Sequence, residues 1–282
     1  MFELWPMNLQ ELKTLIAIVQ TGSLVRASQI LNVTQSTVTA RLKSLEDEIG
    51  QTLVNRNKSG ATLTAAGVRL HRYADTISDL WQQARQETSL ADGMSGMCNL
   101  ACEYDLWPHL GQRFFQALQR QHPDVAVSVW LGSQSDVSAW LNEGKSDLAF
   151  THRSAVVQGQ GQVQLTQDNL VLVSTNPDSP IRFDPNYVYV EAGEVFGREH
   201  AVAYADASTA RISFGNATTA LDYLLVSGGS AYVPRRIAQD GLQSGALHVL
   251  PDAPDFNRPV FLTYNKDAHA GWSWFDVVLE AL

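Results

Sequence analysis

Apolar residues recur at Val38, Leu42, Leu45 and Ile49, in steps of four, three and four, and so draw one stripe down a helix. The opposite face carries Gln35, Ser36, Thr37, Thr39, Arg41 and Lys43, which can donate to phosphates or base edges without filling a core. A shorter helical pattern, Leu24 to Leu31, comes first, with the small pair Ala27 and Ser28 where two helices would pack closely. Asn32, Val33 and Thr34 supply a tight turn and the next N-cap. The pattern predicts a helix-turn-helix whose recognition helix starts near Thr34. A plain helical hairpin with a solvated polar face fits these residues too, and the downstream sequence separates the two readings.

Residues 51–64 read as two short β-prone pieces around a turn at Asn57, Lys58, Ser59 and Gly60, with Arg56 and Lys58 at the tip. A basic hairpin beside a recognition helix is a wing, suited to a phosphate run or the minor groove. Thr64 then caps a long helix on which Ala66, Leu70, Tyr73, Ile77, Leu80 and Ala84 alternate steps of four and three. That is the period of a coiled-coil seam, and a seam needs a partner helix. Packing on its own domain would also bury such a stripe. Arg69, Arg72, Asp75, Asp79 and Arg85 all fall outside it, which favours self-dimerisation.

Ala91-Asp-Gly-Met-Ser-Gly96 reads as a boundary. Beyond it, expected strands at 97–102, 125–131, 147–151, 169–174, 187–191, 211–215, 230–233 and 259–264 alternate with expected helices near 105–121, 135–143, 217–226, 234–240 and 271–281. Such alternation predicts an α/β domain with mostly parallel sheets. The Gln158-Gly-Gln-Gly-Gln-Val run reads as a flexible connection, and 175–210 shows no regular pattern. The fold class expected is α/β with an N-terminal α-rich winged helix-turn-helix. The domains would be 7–64 (DNA binding), 65–93 (linker helix and dimerisation coiled coil) and 94–282 (regulatory).

Charge sharpens this division. Residues 26–72 hold seven Lys or Arg against three acids, +4, whereas the whole chain is −9. Residues 1–90 hold nine basic and eight acidic side chains, +1, which leaves −10 for the remainder. A basic lobe on an acidic chain fits a DNA reader joined to a domain that does not bind DNA. No apolar run reaches the roughly 18 residues that span a membrane, and no basic-then-apolar leader opens the chain, so a cytoplasmic location is expected. The two cysteines, Cys98 and Cys102, would lie about 13 Å apart on an extended strand, too far for a disulfide. Buried reduced thiols are favoured over a redox switch.

Enzyme signatures are missing. The seven histidines are scattered, with no HxxxH pair, no cysteine cluster at zinc spacing and no GxSxG elbow, so neither catalysis nor a metal or other cofactor is expected. A free-standing solute-binding protein would fit 97–282 but not the basic winged helix.

Gly22-Ser23, Arg26-Ala27, Leu31, Thr34-Gln35-Ser36, Val38-Thr39, Leu42, Leu45-Glu46, Gly50, Leu53, Arg56, Leu63-Thr64 and Gly67 together resemble the LysR-type transcriptional regulators. The departures are Thr34 where Ser is usual, Val54 where Phe is usual, and Asn55 where an acid or Thr is common. The residues this resemblance and the basic hairpin nominate for DNA contact are Ser23, Arg26, Thr34, Gln35, Ser36, Thr37, Thr39, Arg41, Arg56 and Lys58. Trp107-Pro108, Phe114, His122-Pro123, Leu141-Gly144-Asp147-Leu148 and the Ser227–Ser230 stretch resemble the family's effector domain, built like a periplasmic binding protein from two α/β lobes.

Ligands in such folds sit between the lobes, at loops leaving the carboxyl ends of strands. The matching positions are Cys102, Glu103, Tyr104, Ser133, Ser135, Thr151, Arg153 and Thr218. Many relatives hold a carboxylate with Ser or Thr in the first loop, where this chain has Glu103, Tyr104 and Asp105. That leaves open an amine-bearing or neutral effector, no effector at all, or a merely solvated acidic turn. The resemblance implies a dimer, and a homotetramer of two dimers, on an inverted-repeat double-stranded DNA operator. It also implies an unknown small-molecule effector and, at a promoter, RNA polymerase.

Overall fold

The computed structural model describes residues 8–57, 60–206, 210–280 and 282, without the side chains at 83, 86 and 87. The chain divides into two compact units, Met1–Ser89 and Leu90–Leu282.

The first unit opens with a helix beyond those expected, α1 (Leu9–Thr21). Its Leu12, Leu15 and Ile18 are the centre of the small core, on which α2 (Leu24–Ile30) and α3 (Gln35–Ile49) pack. Asn32 at φ 52° makes the turn between the two, and the Thr34 hydroxyl accepts from the Thr37 amide at 3.2 Å to cap α3. Val38, Leu42 and Leu45 are buried as the stripe requires, whereas Ile49 is 43% exposed. It is the last helical residue before the left-handed cap at Gly50, where the core has run out.

The wing is β1 (Val54–Asn57) paired antiparallel with β2 (Gly60–Leu63). Two contacts fix it. The Glu46 carboxylate accepts from the amides of Leu53 and Val54 at 2.8 and 3.2 Å, and the Ala61 amide donates to the Gly22 carbonyl at 2.9 Å. A Cβ on Gly60 would stand 2.6 Å from that carbonyl, so this close approach requires glycine. Lys58, expected at the wing tip, lies outside the described residues.

The long helix α4 (Ala65–Thr88) starts at Thr64, whose hydroxyl accepts from the Gly67 amide at 3.0 Å. Its stripe divides its partners. Ala66, Leu70 and Ile77 pack with buried Ala74 against the unit's own core, so that half of the expected seam is self-packing. Tyr73 (61% exposed), Leu80 (37%), the neighbouring Trp81 (47%) and exposed Ala84 are left outside.

The second unit is built on one seven-stranded sheet: β3 (Gly96–Glu103), β4 (Val125–Gly132), β5 (Leu148–Thr151), β6 (Gln160–Ser174), β9 (Ser230–Pro234), β10 (His248–Val249) and β11 (Phe256–Asn265). The order is β10-β6-β11-β5-β3-β4, with β9 also on β6. Only β3–β4 and β3–β5 are parallel; the four pairings that involve β6 or β11 are antiparallel. The sheet is therefore mixed, not mostly parallel. β6 and β11 pair along ten residues of β11 and carry the chain between two lobes. The Gln-rich run starting β6 is strand, not a flexible connection, because its backbone pairs with β11 and Tyr264 lies against Gly161, where a Cβ would meet the ring at 2.4 Å.

One lobe has α5 (Gln112–Gln121), α6 (Gln134–Asn142) and α11 (Phe275–Leu279) around β3, β4 and β5. The other has β7 (Val188–Val190) parallel to β8 (Ile212–Phe214), with α7 (Glu194–Ala203), α8 (Ala217–Ser227) and α9 (Gln239–Ser244). α7 lies in the stretch without sequence pattern. The helix expected over 105–121 is broken: Pro108 (ψ 129°) and His109 (φ 71°) interrupt it, and only 112–121 is regular α-helix. Proline supplies no amide to continue the ladder. The helix expected over 234–240 begins five residues later, after turns at 235–238. Cys98 and Cys102 are both buried and unpaired.

Candidate nucleic-acid interface and interlobe cleft

On the first unit the nominated DNA-contacting side chains split by task. The Ser23 hydroxyl accepts from the Arg26 amide at 3.4 Å and caps α2, leaving the Arg26 side chain exposed. The Thr34 hydroxyl lies 2.8 Å from both the Ser36 and Thr37 hydroxyls. Three hydroxyls thus gather at the N-terminus of α3, where free amides and the helix dipole favour an anion. Gln35 and Ser36 are exposed, Thr37, Thr39 and Arg41 half-buried, and Arg56 is exposed on β1 of the wing.

In the second unit, the strand-end loops meet over a buried ionic network. The Glu103 carboxylate accepts from the Thr151 hydroxyl (2.6 Å) and the His152 amide (2.9 Å), and faces His152 Nδ1 at 2.6 Å. His152 Nε2 faces the Asp168 carboxylate at 3.1 Å. Both ring nitrogens therefore meet carboxylates, and only the doubly protonated ring donates to both. Asp168 also accepts from Arg236 Nε (2.6 Å) and Nη2 (2.9 Å). Arg236 reaches on to the carbonyls of Pro108 and Asp105, which the break in the 105–121 segment has freed. Arg258 Nη2 stands 3.6 Å from Asp168 and 3.7 Å from Asp105.

Asp105 closes the system. Its Oδ1 accepts from the amides of Ala217 and Thr218, at 2.8 and 3.3 Å, so a carboxylate from one lobe caps α8 of the other. Those first-turn amides are where an anionic guest would dock, and the protein has filled the place itself. Three acids meet two guanidiniums and one imidazole, a neutral set when the ring is protonated. Burial works to raise the pKa of Glu103, but the His152 and Thr151 hydrogen bonds outweigh it and hold it below its ordinary value. The same contest at Asp168, with His152 and Arg236 donating and two arginines adjacent, drives its pKa far lower. At Asp105 burial prevails over Arg258 and the α8 amides, and its pKa is raised.

The expected effector positions are placed unequally around this network. Glu103 and Thr151 are members of it. The Thr218 hydroxyl is buried beside it with no hydrogen-bond partner among the described residues. Cys102 is fully buried behind the strand end, its thiol on the Glu103 carbonyl. Ser133 caps α6 and donates to Asp136 at 2.6 Å, and Ser135 lies 2.9 Å from Ser133. Tyr104 and Arg153 are exposed. Sequence reasoning missed Asp168, Arg236 and Arg258. The available signal was an Arg-Arg pair directly after Pro234; Asp168 and Arg258 sit among polar neighbours such as Gln167, Asn169 and Asn257 and carry no mark of their own.

Residues 9–68 match the bacterial regulatory helix-turn-helix protein, lysR family, and residues 91–275 match the LysR substrate binding domain. The chain belongs to the LysR family. This LysR-type regulator is 26% identical over 269 residues to the HTH-type transcriptional regulator HdfR of Escherichia fergusonii, covering 94% of this chain and 95% of that one. Its fold is that of ArgP from Mycobacterium tuberculosis (TM-score 0.58, 23% identity, 96% of each chain) and of CbnR, a LysR family transcriptional regulator (TM-score 0.71, 18% identity, 98% and 99%). It is thus a transcriptional regulator with a DNA-binding winged helix and an effector-binding domain, and not an enzyme. No helix among the described residues is long and apolar enough to cross a membrane.

Asp168→Asn should destabilise the regulator by about 3–5 kcal/mol, because it strips counter-charge from two arginines and changes the group facing the His152 ring at a buried site. The Asp168 pKa is depressed by folding, so its stabilisation is complete above the ordinary carboxylate range, about pH 4, and is lost as pH falls below that. Melting temperatures from pH 7 to pH 3 should fall less steeply in the variant. Equal acid sensitivity in both proteins would remove Asp168 from this role.

Proposed function

We propose that this LysR-type regulator binds an inverted-repeat operator as a dimer, two dimers joining in a tetramer. The observation that carries the reading is the polar face of α3 opposite the buried stripe of Val38, Leu42 and Leu45, with the wing held beside it through Glu46 and Gly22. Gln35, Ser36, Thr37, Thr39 and Arg41 read the major groove, while Ser23, Arg26, Thr34, Arg56 and Lys58 engage phosphates or the adjacent minor groove. A two-fold axis between paired α4 helices sets the half-site spacing. Because Leu70 and Ile77 serve their own core, the seam rests on Tyr73, Leu80, Trp81 and Ala84. Copies of the chain, operator DNA, an effector and RNA polymerase are the proposed partners, in the cytoplasm.

An effector in the interlobe cleft is approached by Glu103, Tyr104, Ser133, Ser135, Thr151, Arg153 and Thr218, with Cys102 as the wall behind. Asp105 already holds the α8 amides, so the class favoured there is neutral or amine-bearing. Short alkylamines should raise the melting temperature in proportion to concentration over their dissociation constant, and short aliphatic carboxylates should not. The reverse preference would overturn this assignment.

Operator titrations at two salt concentrations test the docking. Gln35→Ala should cost about 1–3 kcal/mol and relax preference at one base pair, whereas Arg56→Ala should weaken all sequences alike and reduce the salt slope by about one. Unchanged affinity in both variants would sink the proposal.

Leu80→Asp tests the seam, since a charge placed in a desolvated interface finds no partner. Light scattering should show smaller species, with operator binding reduced and the second unit still folded. A fully oligomeric variant would assign assembly to the second unit alone.

A further inference from the structure

The second lobe holds a cavity of about 780 Å³, away from the ionic network, between the loop at 181–187, β7, β8 and α7. That volume lies within the range of small-molecule sites. Its walls are aromatic: Tyr187, Tyr189 and Tyr204, with His200 stacked on Tyr187 at 5.7 Å between ring centroids and 12° between planes. Phe183 stands at the rim, 62% exposed and held at φ 58°. A bulky side chain in the left-handed region is strained, and such strain concentrates at ligand clamps and active sites.

The hydrogen-bonding groups of the lining are mostly spent. The Tyr187 hydroxyl faces His200 Nε2 at 2.8 Å, and the Tyr204 hydroxyl faces that of Tyr232 at 2.7 Å. Asp184, the one acid of the wall, accepts from the Ser230 hydroxyl at 2.5 Å and the Asn186 amide at 2.8 Å. Burial lowers the His200 pKa and keeps the ring neutral at physiological pH. Three donors are left over: the Tyr189 and Ser213 hydroxyls and the Arg211 guanidinium, none with a hydrogen-bond partner among the described residues. Burial, with Glu191 nearby, raises the Tyr189 pKa, so this hydroxyl keeps its proton.

Flat aromatic walls favour a planar aromatic guest, through offset or edge-to-face ring contacts. A free guanidinium beside a free phenol demands an acceptor, and a carboxylate takes a guanidinium in two parallel hydrogen bonds. We propose that this cavity is a binding site for an aromatic carboxylate, with the ring among Tyr187, Tyr189 and Tyr204 and the carboxylate on Arg211 and the Tyr189 hydroxyl. It is a second ligand site, independent of any effector in the interlobe cleft. The two sites divide by charge: in the cleft Asp105 already holds the first-turn amides of α8, and this cavity has kept its donors in reserve.

Calorimetric titration of the full chain with benzoate and 4-hydroxybenzoate tests the site, with cyclohexanecarboxylate and benzylamine as controls. Saturable binding is expected for the two aromatic acids, about tenfold weaker for cyclohexanecarboxylate and absent for benzylamine. Arg211→Ala should weaken benzoate by about tenfold or more, and Tyr189→Phe by a few-fold, both at unchanged melting temperature, since neither side chain has a polar partner to lose. Absence of saturable benzoate binding at millimolar concentration would overturn the proposal. So would a preference for benzylamine, equal binding of cyclohexanecarboxylate, or benzoate binding that survives both substitutions.

Discussion

The second unit depends on burying three carboxylates between its lobes. Isolated there, each would be prohibitively costly, and the structure answers with donors drawn from several separate segments. Glu103 ends β3, Asp105 lies in the turn after it, His152 follows β5, Asp168 lies on β6, Arg236 follows β9 and Arg258 sits on β11. Asp105 reaches from one lobe to the first turn of α8 in the other, and Arg236 takes two carbonyls of the broken 105–112 segment. The network therefore fixes how the lobes meet. It also decides the chemistry of the cleft, because the first-turn amides of α8 that would greet an anion are already held by Asp105.

The first unit is governed by a simpler constraint, a shortage of apolar surface. Three short helices and a two-stranded wing cannot close a core alone, so α4 lends Ala66, Leu70, Ala74 and Ile77 to it. What remains of its stripe, Tyr73, Leu80 and Ala84, together with the neighbouring Trp81, is exposed. One helix thus completes a domain with one edge and leaves the other exposed. The wing lends Val54 and Ala61 to that core, and Glu46 and the Gly22 carbonyl hold its backbone directly.

Much of this architecture is legible in the chain itself. The α2–turn–α3 motif, the caps at Ser23 and Thr34, the wing and most strands of the second unit follow from local pattern and cap chemistry. The elements that depart from expectation share a cause. The first half of β6 reads as a linker because its polar residues carry no apolar alternation, yet β11 supplies its hydrogen bonds. The 105–121 helix fails at Pro108 and His109, where Arg236 rewards the break. α7 and the aromatic cavity lie in a stretch whose residues find one another only across β7, β8 and β9.

Periodicity and composition determined the two-unit plan and the recognition helix, since these rest on contacts between residues close in the chain, and the residue motif from Gly22 to Gly67 carried the resemblance to the family. Spacing also determined that Cys98 and Cys102 are not bridged. The partners of buried charges were decided by tertiary structure alone. Glu103 and His152 are 49 residues apart, Asp105 and Ala217 are 112 apart, and Asp168 and Arg236 are 68 apart. A carboxylate carries no sequence mark of the donor it will meet, because that meeting is set by how strands order in the sheet. The same holds for α4, where spacing draws the stripe but only the packed core settles which of its residues stay free.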